Sequence, residues 1–199
     1  MREYHKINSI FKRDERDRFL DEYSDSVFEY LKDNIWTWYE KIDGTNIRIM
    51  WDGNKIQIGG RTDNAQIPIF LLRRLEDIFT SEKFIGLPSL CLYGEGFGSR
   101  IQKGGGNYGD PDFILFDVLI DSWWLRRSGV EEIAETLDIK VVSIVGCGTL
   151  DQAIKLCQDK FNSSFGDFIA EGLVLHPQVQ LFNRMGERVI TKIKCRDFR

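Results

Sequence analysis

Histidine is nearly missing from this chain, with two in 199 residues, and cysteine is sparse, with Cys91, Cys147, Cys157 and Cys195. No two cysteines stand as C-x-x-C. That spacing speaks against a structural zinc site, and nothing supports a disulfide framework. No apolar run approaches the length of a membrane span. The stretch from Met1 to Asp21 is densely charged and has no apolar leader core, so the chain reads as cytoplasmic and without a membrane anchor. A net positive charge is absent too. Lys and Arg total 27 against 31 for Asp and Glu, giving −4 at pH 7. The whole molecule therefore does not attract a polyanion, and any polynucleotide would need a locally basic groove. Internal repeats and low-complexity linkers are lacking. What remains is a globular composition, 42% hydrophobic and 13% aromatic with 29% charged residues, enough for a real core. The length suits one domain spanning 1–199, with an N-terminal helical segment at about 1–34.

Periodicity organises the rest. Phe19, Leu20, Tyr23, Val27, Tyr30 and Leu31 recur at intervals of three and four, predicting an amphipathic helix across Arg13 to Lys32. Trp36 to Glu40 reads as a strand. Ile47, Ile49 and Trp51 alternate with polar neighbours, and Asp52-Gly53-Asn54 turns the chain back through Lys55 to Gly59. Pro68 marks a helix start, continued by Ile69, Leu72, Leu75, Ile78 and Phe79. Strands are predicted at Leu90 to Tyr93 and Phe113 to Ile120, with a glycine-rich basic loop between them. Helices around Val130 to Leu137 and Leu150 to Phe161 flank the apolar run Val141 to Val145. Late strands fall near Gly172 to Leu175 and Val189 to Lys194. Hairpins with separated helices predict an α+β fold on antiparallel sheet.

Chemistry concentrates in five segments. In Glu40-Lys41-Ile42-Asp43-Gly44-Thr45-Asn46 a lysine ends one strand and a tight turn opens the next. The turn presents the amine at the sheet surface, and Gly44 admits a close approach to the backbone. A lysine amine attacks phosphorus only when deprotonated, which nearby cations or burial favour. Alone, the segment is equally a hairpin with an exposed lysine, because K-x-D-G is short and common. Leu92-Tyr93-Gly94-Glu95-Gly96-Phe97-Gly98 sets one carboxylate among glycines that clear room for a ribose; the plainer alternative is a solvated glycine turn. Phe113-Ile114-Leu115-Phe116-Asp117-Val118 is an apolar strand with one acid, where a phenylalanine is usually core. Ala170-Glu171-Gly172-Leu173-Val174 puts a carboxylate at a strand mouth, suited to hydrated Mg²⁺. Thr191-Lys192-Ile193-Lys194 alternates, so both lysines share a face. They suit phosphate contacts and would depress the pKa of Lys41; the rival is an edge strand protected by charge.

The series EKIDGTN, LYGEGFG, FILFDV, EGLV and TKIK resembles motifs I, III, IIIa, IV and V of the covalent nucleotidyltransferases, which comprise DNA ligases, RNA ligases and mRNA-capping guanylyltransferases. Thr-Asn after Lys-x-Asp-Gly, with the paired late lysines, is most similar to the nick-sealing RNA ligases related to the second phage-type enzyme. The match runs from Glu40 to Lys194. Each motif is weak by itself; five in order are specific. Two departures stand out. Asp43 occupies a position where many nick-sealing RNA ligases have histidine. Only five residues follow Lys194, so no C-terminal OB domain is expected, which argues against capping and replicative DNA-ligase readings.

The resemblance implies an adenylyltransferase core, two antiparallel sheets with flanking helices around a nucleotide groove. It implies that Lys41 carries the lysyl-AMP, that Glu40 contacts the adenine amino group, and that Asn46 and Arg61 contact the AMP phosphate or the incoming 5′-phosphate. Glu95 would hold the ribose, Phe116 would stack on adenine, and Asp117 would orient the site. Glu171 would position Mg²⁺ or Mn²⁺, with Lys192 and Lys194 neutralising the triphosphate of ATP. Arg100 and Lys103, in the loop Ser99 to Gly109, are the best local candidates for polynucleotide contact, since two cations, glycines and Tyr108 suit a backbone and a base. A mobile solvated connection explains that loop equally well. The implied activity is ATP-dependent RNA ligation in repair, joining 3′-OH and 5′-phosphate ends of nicked or single-stranded RNA by a monomer. DNA ligation, another adenylylation, or a nucleotide-binding module without catalysis are the alternatives.

Overall fold

The computed structural model describes residues 3–198, apart from the side chain of Asp21. In chain order the elements are β1 (Asn8–Ser9), β2 (Phe11–Arg13), β3 (Phe19–Tyr23), α1 (Ser26–Tyr30), β4 (Trp36–Lys41), β5 (Thr45–Trp51), β6 (Ile56–Gly60), α2 (Ile69–Ile78), β7 (Leu90–Phe97), β8 (Asp112–Ile120), β9 (Trp123–Trp124), α3 (Arg127–Leu137), β10 (Lys140–Val141), β11 (Ile144–Gly148), α4 (Leu150–Asp159), β12 (Gly172–Pro177) and β13 (Thr191–Lys194). They fall into two compact units. One comprises Asp43–Val142 with Tyr4; the other comprises His5–Ile42 with residues 143–198. The α+β class is as expected. No helix among the described residues is long and apolar enough to cross a membrane.

The first unit is built on a sheet ordered β10-β8-β7-β5-β6, with β9 paired to β8. Its hairpins are antiparallel. The exception is β10, which runs parallel to β8, because the chain crosses back through α3 before pairing again. Alternation along β5 turns Ile47, Ile49 and Trp51 to one face. There Leu71, Leu75 and Ile78 of α2 and Val130, Ala134 and Leu137 of α3 cover them. Pro68 stands immediately before α2, and its carbonyl accepts from Leu71 and Leu72. The six-stranded sheet leaves its other face to Asn46, Arg48, Glu95 and Asp117.

The second unit holds a sheet ordered β1-β13-β12-β4-β11 and a small β2-β3 hairpin. Here too the ladders are antiparallel except at one edge, where β1 runs parallel to β13. Trp36 and Trp38 of β4, Leu173 and Leu175 of β12 and Ile193 of β13 point into a core closed by Leu150, Ala153 and Cys157 of α4. A capping box starts α4: Thr149 Oγ1 accepts from Gln152 N at 3.3 Å, and Gln152 Oε1 accepts from Thr149 N at 2.9 Å.

The helix predicted over Arg13 to Lys32 is not there. The chain forms β2, β3 and the single turn α1. The first two residues of the helical segment predicted at about 1–34 lie outside the described residues. Asp14 Oδ1 accepts from the backbone of both Arg16 and Arg18, and Asp17 takes a positive φ of 61°, so a tight turn folds β3 back on β2. Phe19 and Tyr23 both meet Phe11, at 5.4 and 5.2 Å between ring centroids. A spacing of four residues satisfies a strand period of two as well as a helix period of 3.6, and the polar turn decided between them.

Candidate active site

Three neighbouring strands of the second unit bring the chemistry into one row. Gly172 of β12 is in register with Lys41 on one side and with Lys194 on the other. The next row on the same face joins Tyr39, Val174 and Lys192. The absent side chain of Gly172 lets this happen: a Cβ there would lie 2.0 Å from the carbonyl oxygen of Ile193 and 2.7 Å from Cα of Lys194. Glu171, one residue earlier, serves both flanking lysines. Lys41 Nζ donates to Glu171 Oε2 at 2.6 Å, and Lys194 Nζ lies 2.7 Å from Glu171 Oε1. The backbone carbonyl of Glu171 accepts from Cys195 N at 2.9 Å, which fixes the carboxylate against the end of β13.

The electrostatics follow from this crowding. Burial pushes the Glu171 carboxyl upward, but the charges and hydrogen bonds of Lys41 and Lys194 outweigh it and hold the group below the ordinary glutamate value. Lys192 has no such partner among the described residues. Burial depresses its ammonium, the charges of Lys41 and Lys194 depress it further, and Glu171 only partly opposes them. Lys41, Lys192, Lys194 and Glu171, predicted as one functional group, therefore do stand together.

Glu40 belongs to the same unit but not to that face. Consecutive strand residues point to opposite sides, and Glu40 lies on the core side, 2% exposed. Its Oε1 accepts from Ser163 Oγ at 2.5 Å. Its Oε2 accepts from Ser164 N at 3.0 Å and Ser164 Oγ at 2.6 Å.

The remaining predicted residues lie in the first unit. Register pairs Asn46 with Glu95 and Glu95 with Ile114. Oδ1 of Asn46 is buried with no hydrogen-bond partner among the described residues. An unpaired buried acceptor costs about 1–3 kcal/mol, which a ligand donor would offset. The glycines around Glu95 do not clear space as predicted. A Cβ at Gly94 would strike the Phe113 ring, and one at Gly96 would strike Leu71, so both serve the helix-covered face. A Cβ at Gly44 would lie 2.3 Å from the carbonyl oxygen of Gly96, so it is β7, not an incoming ligand, that approaches this backbone. Phe116 sits where the β7–β8 register shifts, edge-on to Tyr4 at 5.1 Å. Asp117 accepts a hydrogen bond from the Tyr4 hydroxyl. Arg61 is exposed. Arg100 has a φ of 69° and stacks on Phe70 at 4.5 Å, while Lys103 is exposed. The loop itself is anchored: Gln102 Nε2 donates to Gly44 O at 3.2 Å, and the Tyr108 hydroxyl accepts from Asp43 N at 3.3 Å.

Sequence reasoning passed over several residues. Arg48 is fully buried, donating to Gly60 O at 2.6 Å and Asp63 Oδ1 at 2.9 Å, so it braces the turn that carries Arg61. Its place between Ile47 and Ile49 was a usable signal, since alternation puts it on the face of Asn46. Tyr4, Ser163 and Ser164 gave none. Their hydrogen bonds to Asp117 and Glu40 join residues more than a hundred positions apart.

The family model for RNA ligase matches residues 34–194. Among solved structures, a variant of Naegleria gruberi RNA ligase with ATP and Mn superposes at a TM-score of 0.68 with 18% identity, covering 96% of this chain and 59% of that one. The Naegleria gruberi RNA ligase with PPi gives 0.65 at 18% identity, over 96% and 61%. A further variant with AMP and Mn gives 0.67 at 18% identity, over 85% and 52%. The chain thus spans between half and about three-fifths of the length of these relatives, and at such identity the likeness is one of fold.

Proposed function

We propose, from the premise that this chain belongs to the RNA ligase family, that it joins RNA ends at the expense of ATP through an adenylylated Lys41. The observation carrying the reading is the shared carboxylate: Glu171 lies 2.6 Å from Lys41 and 2.7 Å from Lys194 in a row of strand-borne cations. In the first step Lys41 Nζ, having lost a proton, attacks the α-phosphorus of ATP. An N–P bond forms, the bond to the bridging oxygen breaks, and pyrophosphate leaves with its electrons. A 5′-phosphate oxygen then displaces Lys41 from the AMP phosphorus. Last, a 3′-hydroxyl attacks the 5′-phosphorus, its proton departs, and AMP leaves. Such transfers depend on positioning and charge neutralisation. Lys192 and Lys194 provide the latter for the triphosphate.

Glu171 fits a divalent cation of the Mg²⁺ or Mn²⁺ type. No group of three or more His, Cys, Asp or Glu that would enclose a metal occurs among the described residues. One carboxylate supplemented by phosphate oxygens and water is the usual arrangement for Mg²⁺. Bound there, the cation would neutralise charge on the phosphoryl oxygens. Solved Naegleria gruberi RNA ligase variants with ATP and Mn, and with AMP and Mn, support ATP as the nucleotide and a divalent cation as its companion. For the first unit the family resemblance supports Glu95 for the ribose, Asn46 and Arg61 for phosphate, Phe116 for stacking on the base and Asp117 for orienting the site, while the local cations and glycines of the Ser99–Gly109 loop support Arg100 and Lys103 for RNA. Lys103 is exposed, whereas the Arg100 guanidinium lies over the Phe70 ring. The family resemblance supports Glu40 for the adenine amino group. The enzyme acts as a cytoplasmic monomer on nicked or single-stranded RNA.

The test is transfer of label from α-labelled ATP to the chain. Lys41 should carry the adduct, and Lys41→Arg should carry none, because a guanidinium is not deprotonated in proteins. Label on the arginine variant would remove Lys41 from the role. Labelling from GTP equal to that from ATP would remove Glu40 from base recognition. A ligation panel of nicked and single-stranded RNA and DNA assigns the substrate.

A further inference from the structure

Lys41 and Glu40 are consecutive, yet both reach the same stretch of chain, one from each face of β4. Lys41 holds Glu171. Glu40 holds Ser163 and Ser164 with three hydrogen bonds. A carboxylate offers about four acceptor positions, so the serines fill most of them, and a buried charge is satisfied by neutral donors. The grip is reinforced. Ser143 Oγ donates to Ser164 Oγ at 3.1 Å, and Glu40 N donates to Ser143 O at 3.0 Å.

The loop so gripped is closed by its own hydrogen bonds. Asn162 forms a β-bridge with Ile169, and its Nδ2 donates to Asp167 Oδ1 at 2.7 Å. Ser163 N donates to Phe168 O at 2.8 Å, and Phe165 N to Ser163 Oγ at 3.1 Å. Ala170 N then donates to Phe161 O at 2.9 Å, and Glu171 follows directly. A closed loop pinned at its base transmits its placement to the next residue.

We infer that Ser163 and Ser164 are positioning residues for the transfer reaction: their grip on Glu40 fixes the loop ahead of Glu171, and so the carboxylate that aligns Lys41 and Lys194. The inference rests on Lys41 being the nucleophile. It differs from a purely stabilising role, which would lower the melting temperature and leave the adenylylation rate of the folded protein alone.

The experiment uses the full chain with Ser163→Ala, Ser164→Ala, the double variant and Ser164→Thr. Amide hydrogen exchange is followed without ligand, and adduct formation with α-labelled ATP gives kcat and KM. In the double variant the amides of Ser164, Ala170 and Cys195 should lose protection. The rate of adduct formation should fall about ten- to a hundredfold, as small misplacements of reacting groups do. KM for ATP should stay within about twofold, since binding is not what the serines set. Ser164→Thr, which keeps the hydroxyl, should return most of the rate lost in Ser164→Ala. If the double variant does not fold, the exposed Ser164 carries the comparison alone. A parental rate, a loss borne wholly by KM, or an altered preference between ATP and GTP overturns the inference. If the parent itself forms no adduct, the functional reading fails. Exchange in the ligand-free chain then decides whether the serines fix the loop: lost protection confined to 162–171 and Cys195 supports it, and unchanged protection overturns it.

Discussion

Replacing Gly172 by alanine tests the geometry of the row most directly. The added Cβ would meet the Ile193 carbonyl oxygen at 2.0 Å, whereas such carbon–oxygen contacts ordinarily begin near 3.3 Å, so β12 and β13 must part by about 1.3 Å. Backbone atoms on both sides leave no flexible side chain to yield, and the φ of 155° adds to the strain for a residue with a Cβ. Losing two terminal ladder bonds at about 0.5–1.5 kcal/mol each, with about 1–3 kcal/mol for the backbone, gives roughly 2–6 kcal/mol of lost stability. The same movement carries Lys194 away from Glu171. Urea denaturation of Gly172→Ala should therefore show a clearly lower midpoint at unchanged slope. The fraction that remains folded should form the Lys41 adduct far more slowly than the parent. An unfolding free energy within about 0.5 kcal/mol of the parent, the range of an ordinary surface change, would refute the claim that strand proximity at Gly172 builds the row.

Two further outcomes follow from the charges. Lys192 titrates below its ordinary value in the folded chain, so its protonated form opposes folding, and stability should climb as pH rises from that depressed pKa towards 10.5. Lys192→Met should accordingly raise the denaturation midpoint at pH 7 while weakening adduct formation; a lowered midpoint would contradict the burial and repulsion that explain the shift. Glu171 has the opposite sign. Its folded pKa lies below the ordinary 4.5, so its contribution is complete above that value and is lost as pH falls through the depressed one. Glu171→Gln should flatten the acid limb of the stability profile below about pH 4.5, and an unchanged limb would show that other carboxylates govern it.

Much of this was readable from residues alone, for definite reasons. Alternation in Thr191-Lys192-Ile193-Lys194 put both lysines on one face, and the structure agrees, with Thr191 and Ile193 buried and the lysines half-buried. The same rule applied to Glu40 and Lys41 separates them, although the motif resemblance had grouped them. Pairing was not readable. Lys41 and Glu171 are 130 residues apart, and nothing local specifies that Gly172 stands between Lys41 and Lys194. Glycine roles were misjudged where the neighbour mattered: Gly94 and Gly96 look like room for a ligand until Phe113 and Leu71 appear behind them. The N-terminal helix failed because a period of four fits two structures, and only the Asp14 turn distinguishes them.

An acidic chain can serve a polyanion only by concentrating its cations, and concentration carries its own penalty. Lys41, Lys192 and Lys194 crowd one end of a sheet where burial weakens screening by water. Glu171 offsets the repulsion for two of them by sharing its oxygens, and Lys192 bears the remainder, as its lowered pKa records. On the proposed reading the triphosphate brings the counter-charge that the free protein lacks. Phosphate oxygens can then replace the carboxylate beside Lys41 and Lys194, and the carboxylate is released to face a divalent cation. The pair that makes the cluster compatible with folding is then also the pair that ATP must open before Lys41 can lose its proton. The restraint and the activation of the nucleophile would thus reside in one side chain, which is why its placement, through Gly172 on one side and the loop held by Glu40 on the other, matters more than the strength of either ion pair.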